Sequence, residues 1–259
     1  MRITGTTGAP TTREARQAHT VLHRATELGV TLIDTAPLYG ASEDLIGEAF
    51  PTYPDGVVIA TKVGITSTPD GPVYRGRPEQ IREDCERSLQ RLHLDAIPLS
   101  QLHTVDPDVP IEDSVGALSD LRHEGKVRHV GLSNVDVDQL RTAQSIVAIA
   151  SVQNRFNLAD RDSDDILDVC SAERIAFLPW RPLAHQHLSD RGHRALERAA
   201  ARLEATPRQI ALAWVLSRAP VMCAIPGTSD LAHLEENVAA TELILSRDER
   251  LDLDEAAAL

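Results

Sequence analysis

With 259 residues, 42% of them hydrophobic, the chain can bury a large core and has the usual size of one α/β barrel, expected as a single domain over 1–259. A net charge of −13 with no offsetting basic cluster argues against nucleic acid as a partner. No apolar run reaches the roughly 18 residues that cross a bilayer, and Cys85, Cys170 and Cys223 have no paired spacing. A membrane-spanning protein and a disulfide scaffold are thereby excluded, and the expected compartment is the reducing cytoplasm.

In chain order, MRIT (1–4) predicts a short first strand, and Thr11 with Glu14 forms a capping box opening the first helix. TLIDTA (31–36) and VVIATKV (57–63) predict the next two strands, and 64–77 is expected to be a long loop. Pro78 opens a helix over 78–92, with Ile81, Cys85, Leu89 and Leu92 on one stripe. IPLSQLH (97–103), HVGLSN (129–134), SVQNRFN (151–157) and AFLPWRP (176–182) predict further strands, and a second long loop follows at 181–192. Thr206, Pro207 and Gln209 form a capping box ahead of IALAWVL, and VMCAIPG (221–227) predicts the last strand. Leu231, Leu234 and Val238 then mark a helical stripe. Eight apolar runs separated by helices predict a parallel sheet closed into a (β/α)8 TIM barrel.

Asp34 and Tyr39 in LIDTAPLYG, Lys62 in IATKVG and His103 in LSQLH each stand where an apolar run turns polar, at the rim where such a barrel keeps its chemistry. Any one of them alone is more often an ordinary rim residue; together, on successive strands, they suggest a proton-donating site. A phenol titrates near 10, so Tyr39 needs help to act as an acid at neutral pH. The Lys62 ammonium would stabilise its phenolate, Asp34 would keep that ammonium charged and oriented, and His103 would donate to a carbonyl. No side chain supplies a hydride, so a nicotinamide is required. His185 and His187, near Asp190, lack a third strong ligand, and no metal site is expected.

GVTLIDTAPLYG, ATKVG, LSQLH, GKVRHVGLSNVDVDQL, SVQNRFNLADR, AFLPWRPLA, ATPRQIALAW and IPGTSDLAHLEENVAA, in this order, resemble the successive signatures of the aldo-keto reductase family. The resemblance implies a TIM barrel with the tetrad Asp34, Tyr39, Lys62 and His103, Tyr39 being the general acid, and NADPH extended across the rim. It assigns Ser133, Asn134 and Gln153 to the nicotinamide carboxamide and Trp180 to the face of the nicotinamide ring. Arg181, Pro182 and Leu183 follow in the cofactor site, with Arg181 within reach of the pyrophosphate. Gly227, Thr228, Ser229 and Asp230 match the adenosine end, and Glu236 and Asn237 match positions that contact adenine. His233 stands where many relatives have an arginine for the 2′-phosphate, so NADPH is the expected cofactor and NADH is not excluded. The chain starts inside what matches the first strand, so the usual N-terminal hairpin is expected to be missing and that strand to be short.

The function implied is reversible NADPH-dependent reduction of aldehydes or ketones by a cytoplasmic oxidoreductase. The partner is a small-molecule carbonyl, and the chain is expected to be a monomer or weak homo-oligomer. One alternative is a nicotinamide-binding redox sensor or partner subunit with little turnover. Another is Schiff-base lyase chemistry on Lys62, against which Asp34 argues by keeping the amine protonated. Substrate choice is expected to lie in 64–77 and 181–192.

Overall fold

A computed structural model describes residues 3, 9–68, 71–183 and 188–257. The strand expected at 1–4, apart from Ile3, and the pair His185 and His187 lie outside the described residues. The chain divides into two compact units, Met1–Val152 with Gly227–Leu231, and Gln153–Pro226 with Ala232–Leu259.

In the first unit, α1 (Thr12–Glu27) opens on the expected capping box, Thr11 and Glu14 each satisfying the other's backbone N–H. It buries Ala18, Val21, Leu22 and Ala25. Next come β1 (Leu32–Asp34), a turn of 3-10 helix at Pro37–Tyr39, α2 (Ser42–Ala49) and β2 (Val58–Val63). After a hairpin, β3 (Ile65–Thr68) and β4 (Gly71–Tyr74), the chain continues as α3 (Pro78–Arg91), β5 (Ile97–Leu102), α4 (Ile111–His123), β6 (Val127–Ser133), α5 (Val137–Gln144) and β7 (Ile149–Gln153). The strands run in the order β1-β2-β5-β6-β7, and the first four pair in parallel. These strands are mostly buried, their apolar residues packing under the helices and their buried polar residues gathering toward one end. Leu22, Ile46, Phe50, Ile59 and Leu92 form one core cluster of helix and strand side chains.

The hairpin corrects the expectation of a loop at 64–77. Its strands pair antiparallel from Ile65 opposite Tyr74 to Thr68 opposite Gly71. The β-branched residues Ile65, Thr66, Thr68 and Val73 flank a Pro69-Asp70-Gly71 turn sequence, a hairpin signal hidden by its polar composition. Two buried carboxylates hold its base. Asp84 of α3 accepts from Gly64 N at 3.2 Å and Arg75 Nε at 2.9 Å, and Asp106 accepts from Gly76 N at 2.9 Å.

The second unit holds α6 (Asp164–Glu173), β8 (Ala176–Phe177), α7 (Asp190–Leu203), α8 (Pro207–Ser217), most of α9 (Leu231–Ala239) and α10 (Arg247–Ala257). The strands here and at β7 are shorter than 151–157, 176–182 and 221–227 suggested. Pro179 removes a donor, so β8 stops at Phe177 and the chain resumes pairing only at a bridge between Arg155 and Trp180. Pro220 precedes 221–227 and Pro226 lies within it; the stretch forms no strand and pairs only at Phe177, through Phe177 N to Val221 O and Cys223 N to Phe177 O, both 2.8 Å. The expected box at Thr206 and Gln209 opens α8. That helix carries Trp214, fully buried, stacked on Phe156 at 5.9 Å and donating from Nε1 to Asp254 at 2.9 Å.

Candidate active site

Parallel register carries three of the four sequence-identified groups to the same end of the sheet. Asp34 is the last residue of β1, Lys62 lies one residue from the end of β2, and His103 directly follows β5, with its N–H on Val63 O at 2.9 Å. Tyr39 ends the 3-10 turn after β1. The four side chains converge. Lys62 Nζ lies 2.9 and 2.7 Å from the two Asp34 carboxylate oxygens and 2.9 Å from Thr35 O. It stands 5.2 Å from the Tyr39 ring centroid, and the Tyr39 and His103 rings meet edge to face at 6.0 Å.

Lys62 has no exposure, so its charge has lost all its water. A lone buried ammonium would cost several kcal/mol; here a bidentate carboxylate and a backbone carbonyl replace the lost hydration. Burial pushes the Tyr39 phenol above its ordinary pKa of 10, outweighing the pull of Lys62 that the sequence emphasised. The phenol is therefore held as a protonated donor. His103 moves the other way: burial first, then the Lys62 charge, lowers its pKa to about 3. At neutral pH it is an uncharged imidazole, able to donate a hydrogen bond but not to act as a cationic acid.

The depressed His103 pKa has a stability consequence of definite sign. Unfolding frees an imidazole that binds a proton near 6.5, so the stability His103 contributes is complete above that pH and is lost as pH falls toward about 3. We expect the urea midpoint of the wild type to fall more between about pH 7 and about pH 5 than that of His103→Gln, which carries no such group.

Gln101 belongs to the site and was not identified from the sequence. Its Nε2 donates to Asp34 Oδ1 at 3.2 Å, and its Oε1 accepts from Ser151 Oγ at 3.3 Å. The signal was available: a polar residue two positions before His103 in an apolar strand shares its face. Gly131 lies opposite Gln101 in the β5–β6 register, and a Cβ there would stand 2.2 Å from Ser151 Oγ and 2.9 Å from Gln101 Cγ. Gly131→Ala is expected to displace both groups and lower stability by roughly 1–3 kcal/mol, measurable by chemical denaturation.

Other expected site residues divide between the units. In the first, Ser133 closes β6, buried, and Asn134 follows with a positive φ of 56°, its Nδ2 donating to His103 O at 3.0 Å and Ser133 Oγ at 3.1 Å. Gly227, Ser229 and Asp230 are exposed just before α9; Thr228 Oγ1 accepts from Asp230 N at 3.0 Å, and Ser229 O accepts from Gln17 at 3.2 Å. In the second unit Gln153 is buried at the end of β7, and the guanidinium groups of Arg155 and Arg181 stand over the Trp180 ring, 5.8 and 5.7 Å from its centroid. Arg181 is exposed with φ 53°, Pro182 is buried and Leu183 half-buried. His233 is exposed on α9. Glu236 has a structural task unforeseen in the sequence: its carboxylate accepts from Thr206 Oγ1 at 2.5 Å and pairs with Arg208 at 3.4 Å, tying α9 to the start of α8. Asn237 is buried and its Nδ2 has no hydrogen-bond partner among the described residues, a donor suited to a base nitrogen.

Parallel strands whose C-terminal ends gather an acid, a phenol, an ammonium and an imidazole define an α/β-barrel type of enzyme site. The sequence matches the model of the Aldo/keto reductase family over residues 1–258, and the chain belongs to that family. It is 37% identical over 261 residues to pyridoxine 4-dehydrogenase of Escherichia coli, with 96% of this chain and 89% of that protein covered. Among solved structures it is similar to a thermostable aldo-keto reductase crystallised with the inhibitor epalrestat, at TM-score 0.88 and 31% identity, covering 98% of this chain and 92% of the other. An aldo-keto reductase from Klebsiella pneumoniae, solved in complex with NADPH, matches at TM-score 0.82 and 28% identity over 95% of this chain and 86% of its own. The fold is accordingly the (β/α)8 barrel of that family, and the chain is an NAD(P)H-dependent carbonyl oxidoreductase.

Proposed function

We propose that the chain reduces small aldehydes or ketones to alcohols, reversibly, with Tyr39 as proton donor. The observation that carries this is the buried Lys62–Asp34 pair with the Tyr39 ring 5.2 Å from the ammonium and His103 against its edge. The bound nicotinamide supplies the hydride. As the carbonyl oxygen gains negative charge, His103 donates a hydrogen bond to it and Tyr39 O–H gives it a proton. Lys62 stabilises the phenolate left behind, and Asp34, oriented by Gln101, keeps Lys62 aimed.

For the cofactor, Ser133, Asn134 and Gln153 are assigned to the carboxamide, and Trp180 to the ring face. Arg181, Pro182, Leu183 and Gly227–Asp230 would follow its phosphates, His233 the 2′-phosphate, and Glu236 and Asn237 the adenine. Because the Glu236 carboxylate can only accept and is already engaged by Thr206 and Arg208, Asn237 is the donor of the two toward adenine. The test is NADPH consumption by the purified chain with aliphatic and aromatic aldehydes and small ketones, NADH being run in parallel. The 4-aldehyde related to pyridoxine belongs in the panel because of the relative that bears that alcohol's name. Carbonyl-dependent consumption supports the proposal; tight NADPH binding with no carbonyl consumed would favour a sensor instead.

A further inference from the structure

Glu43 on α2 has no exposure, yet it is four residues from Tyr39 and carries a charge nothing in the proposed reaction uses. Its Oε1 accepts from Thr61 Oγ1 at 2.5 Å, and its Oε2 from Arg91 Nε at 2.8 Å and Nη2 at 2.7 Å. Thr61 is the neighbour of Lys62 on β2, and strand alternation sends the two side chains to opposite faces. The carboxylate thus joins the back of the strand that presents the ammonium to the helix that follows the phenol. Two further contacts tighten that link. Ser42 Oγ donates to Tyr39 O at 2.9 Å, so the first turn of α2 holds the phenol's own backbone. Gly47 lets α2 lie against the end of α3, where a Cβ would come within 2.3 Å of Arg91 O.

The geometry points to Glu43 as a positioning residue for the reaction, one that acts through Thr61 and Arg91 to fix α2, and hence Tyr39, at its working distance from Lys62. A buried carboxylate is a demanding way to hold a helix, because it must find donors for both oxygens. What it gives in return is direction: Thr61 and Arg91 approach from two different elements, so α2 can neither slide nor rotate without breaking one of the bonds. An apolar contact would hold the helix without that constraint. The charged and titratable groups facing the Tyr39 phenol are Lys62 from β2, Asp34 from β1 and His103 after β5, all on the opposite face of β2 from Glu43. Glu43 therefore touches neither substrate nor cofactor.

This inference rests on the reading of Tyr39 as the acid, and its test separates the two. Glu43→Ala, Glu43→Gln, Thr61→Val and Tyr39→Phe are compared with the wild type for kcat, KM, NADPH binding by Trp fluorescence, and the pH profile of kcat. Displacing the phenol by about 1 Å should cost on the order of a hundredfold in kcat, with NADPH affinity unchanged. Loss of the Lys62 contact should also move the alkaline limb of the profile to higher pH, because Lys62 holds the phenol's pKa down. Glu43→Gln keeps an acceptor for Thr61 and should recover most of kcat. Thr61→Val, close to isosteric, should show the same changes in smaller measure and decides the matter if Glu43→Ala does not fold. A folded Glu43→Ala or Thr61→Val with wild-type kcat, or with lowered kcat and an unmoved alkaline limb, overturns the inference. An active Tyr39→Phe overturns the acid assignment and the inference with it, whereas an inactive one beside unmoved Glu43 and Thr61 variants overturns the inference alone.

Discussion

Tyr39→Phe is expected to lower carbonyl reduction by roughly 100- to 10,000-fold, the usual contribution of a positioned general acid. Its melting temperature and its affinity for NADPH should change little. The ring keeps its edge contact with His103 and its place 5.2 Å from Lys62, so what is lost is the proton. Steady-state turnover alongside cofactor titration checks this; turnover at the wild-type rate would remove Tyr39 from the role of acid. The raised pKa of the phenol sharpens the expectation, because protonated tyrosine is the abundant form throughout the neutral range.

Lys62→Met should abolish turnover and also destabilise the fold. Removing the ammonium strands the Asp34 carboxylate, whose side chain is 5% exposed. An uncompensated buried charge costs about 3–5 kcal/mol. In a chain of this size that corresponds to a fall in melting temperature on the order of 10 °C. The double variant Lys62→Met with Asp34→Asn should regain much of that stability, since it removes both charges, while remaining inactive. Calorimetry and kinetics on the single and double variants therefore separate the pair's two tasks. If the double variant is no more stable than the single one, the loss came from packing rather than from the stranded carboxylate.

The site was more legible in the sequence than the outline of the strands. Asp34, Lys62 and His103 could be placed because each interrupts an apolar run, and an interruption marks a strand end whatever the strand's length. The runs themselves misled where proline intervened. Pro179 and Pro226 lie inside stretches that read as strands by hydropathy but lack the donors to pair through. The hairpin at 65–74 was missed for the opposite reason, its strands being too polar and too exposed to show an apolar period. Gln101 and Glu43 escaped because their significance depends on what lies across the sheet or beneath it. No spacing along the chain announces that a glutamate four residues past a tyrosine will meet Thr61 and Arg91. The direction of the Tyr39 pKa was equally hidden, since the charge beside it could be guessed but the depth of its burial could not.

The clamps at the root of the hairpin bear on how such a protein can change. Asp84 and Asp106 grip Gly64, Arg75 and Gly76 from helix and loop positions outside the hairpin. Within the hairpin, Pro72, Val73 and Tyr74 of β4 are exposed and add little to the core, whereas β3 is half-buried apart from Ser67. The exposed β4 edge can therefore change its side chains while the clamps at its root and the proton-handling groups stay as they are.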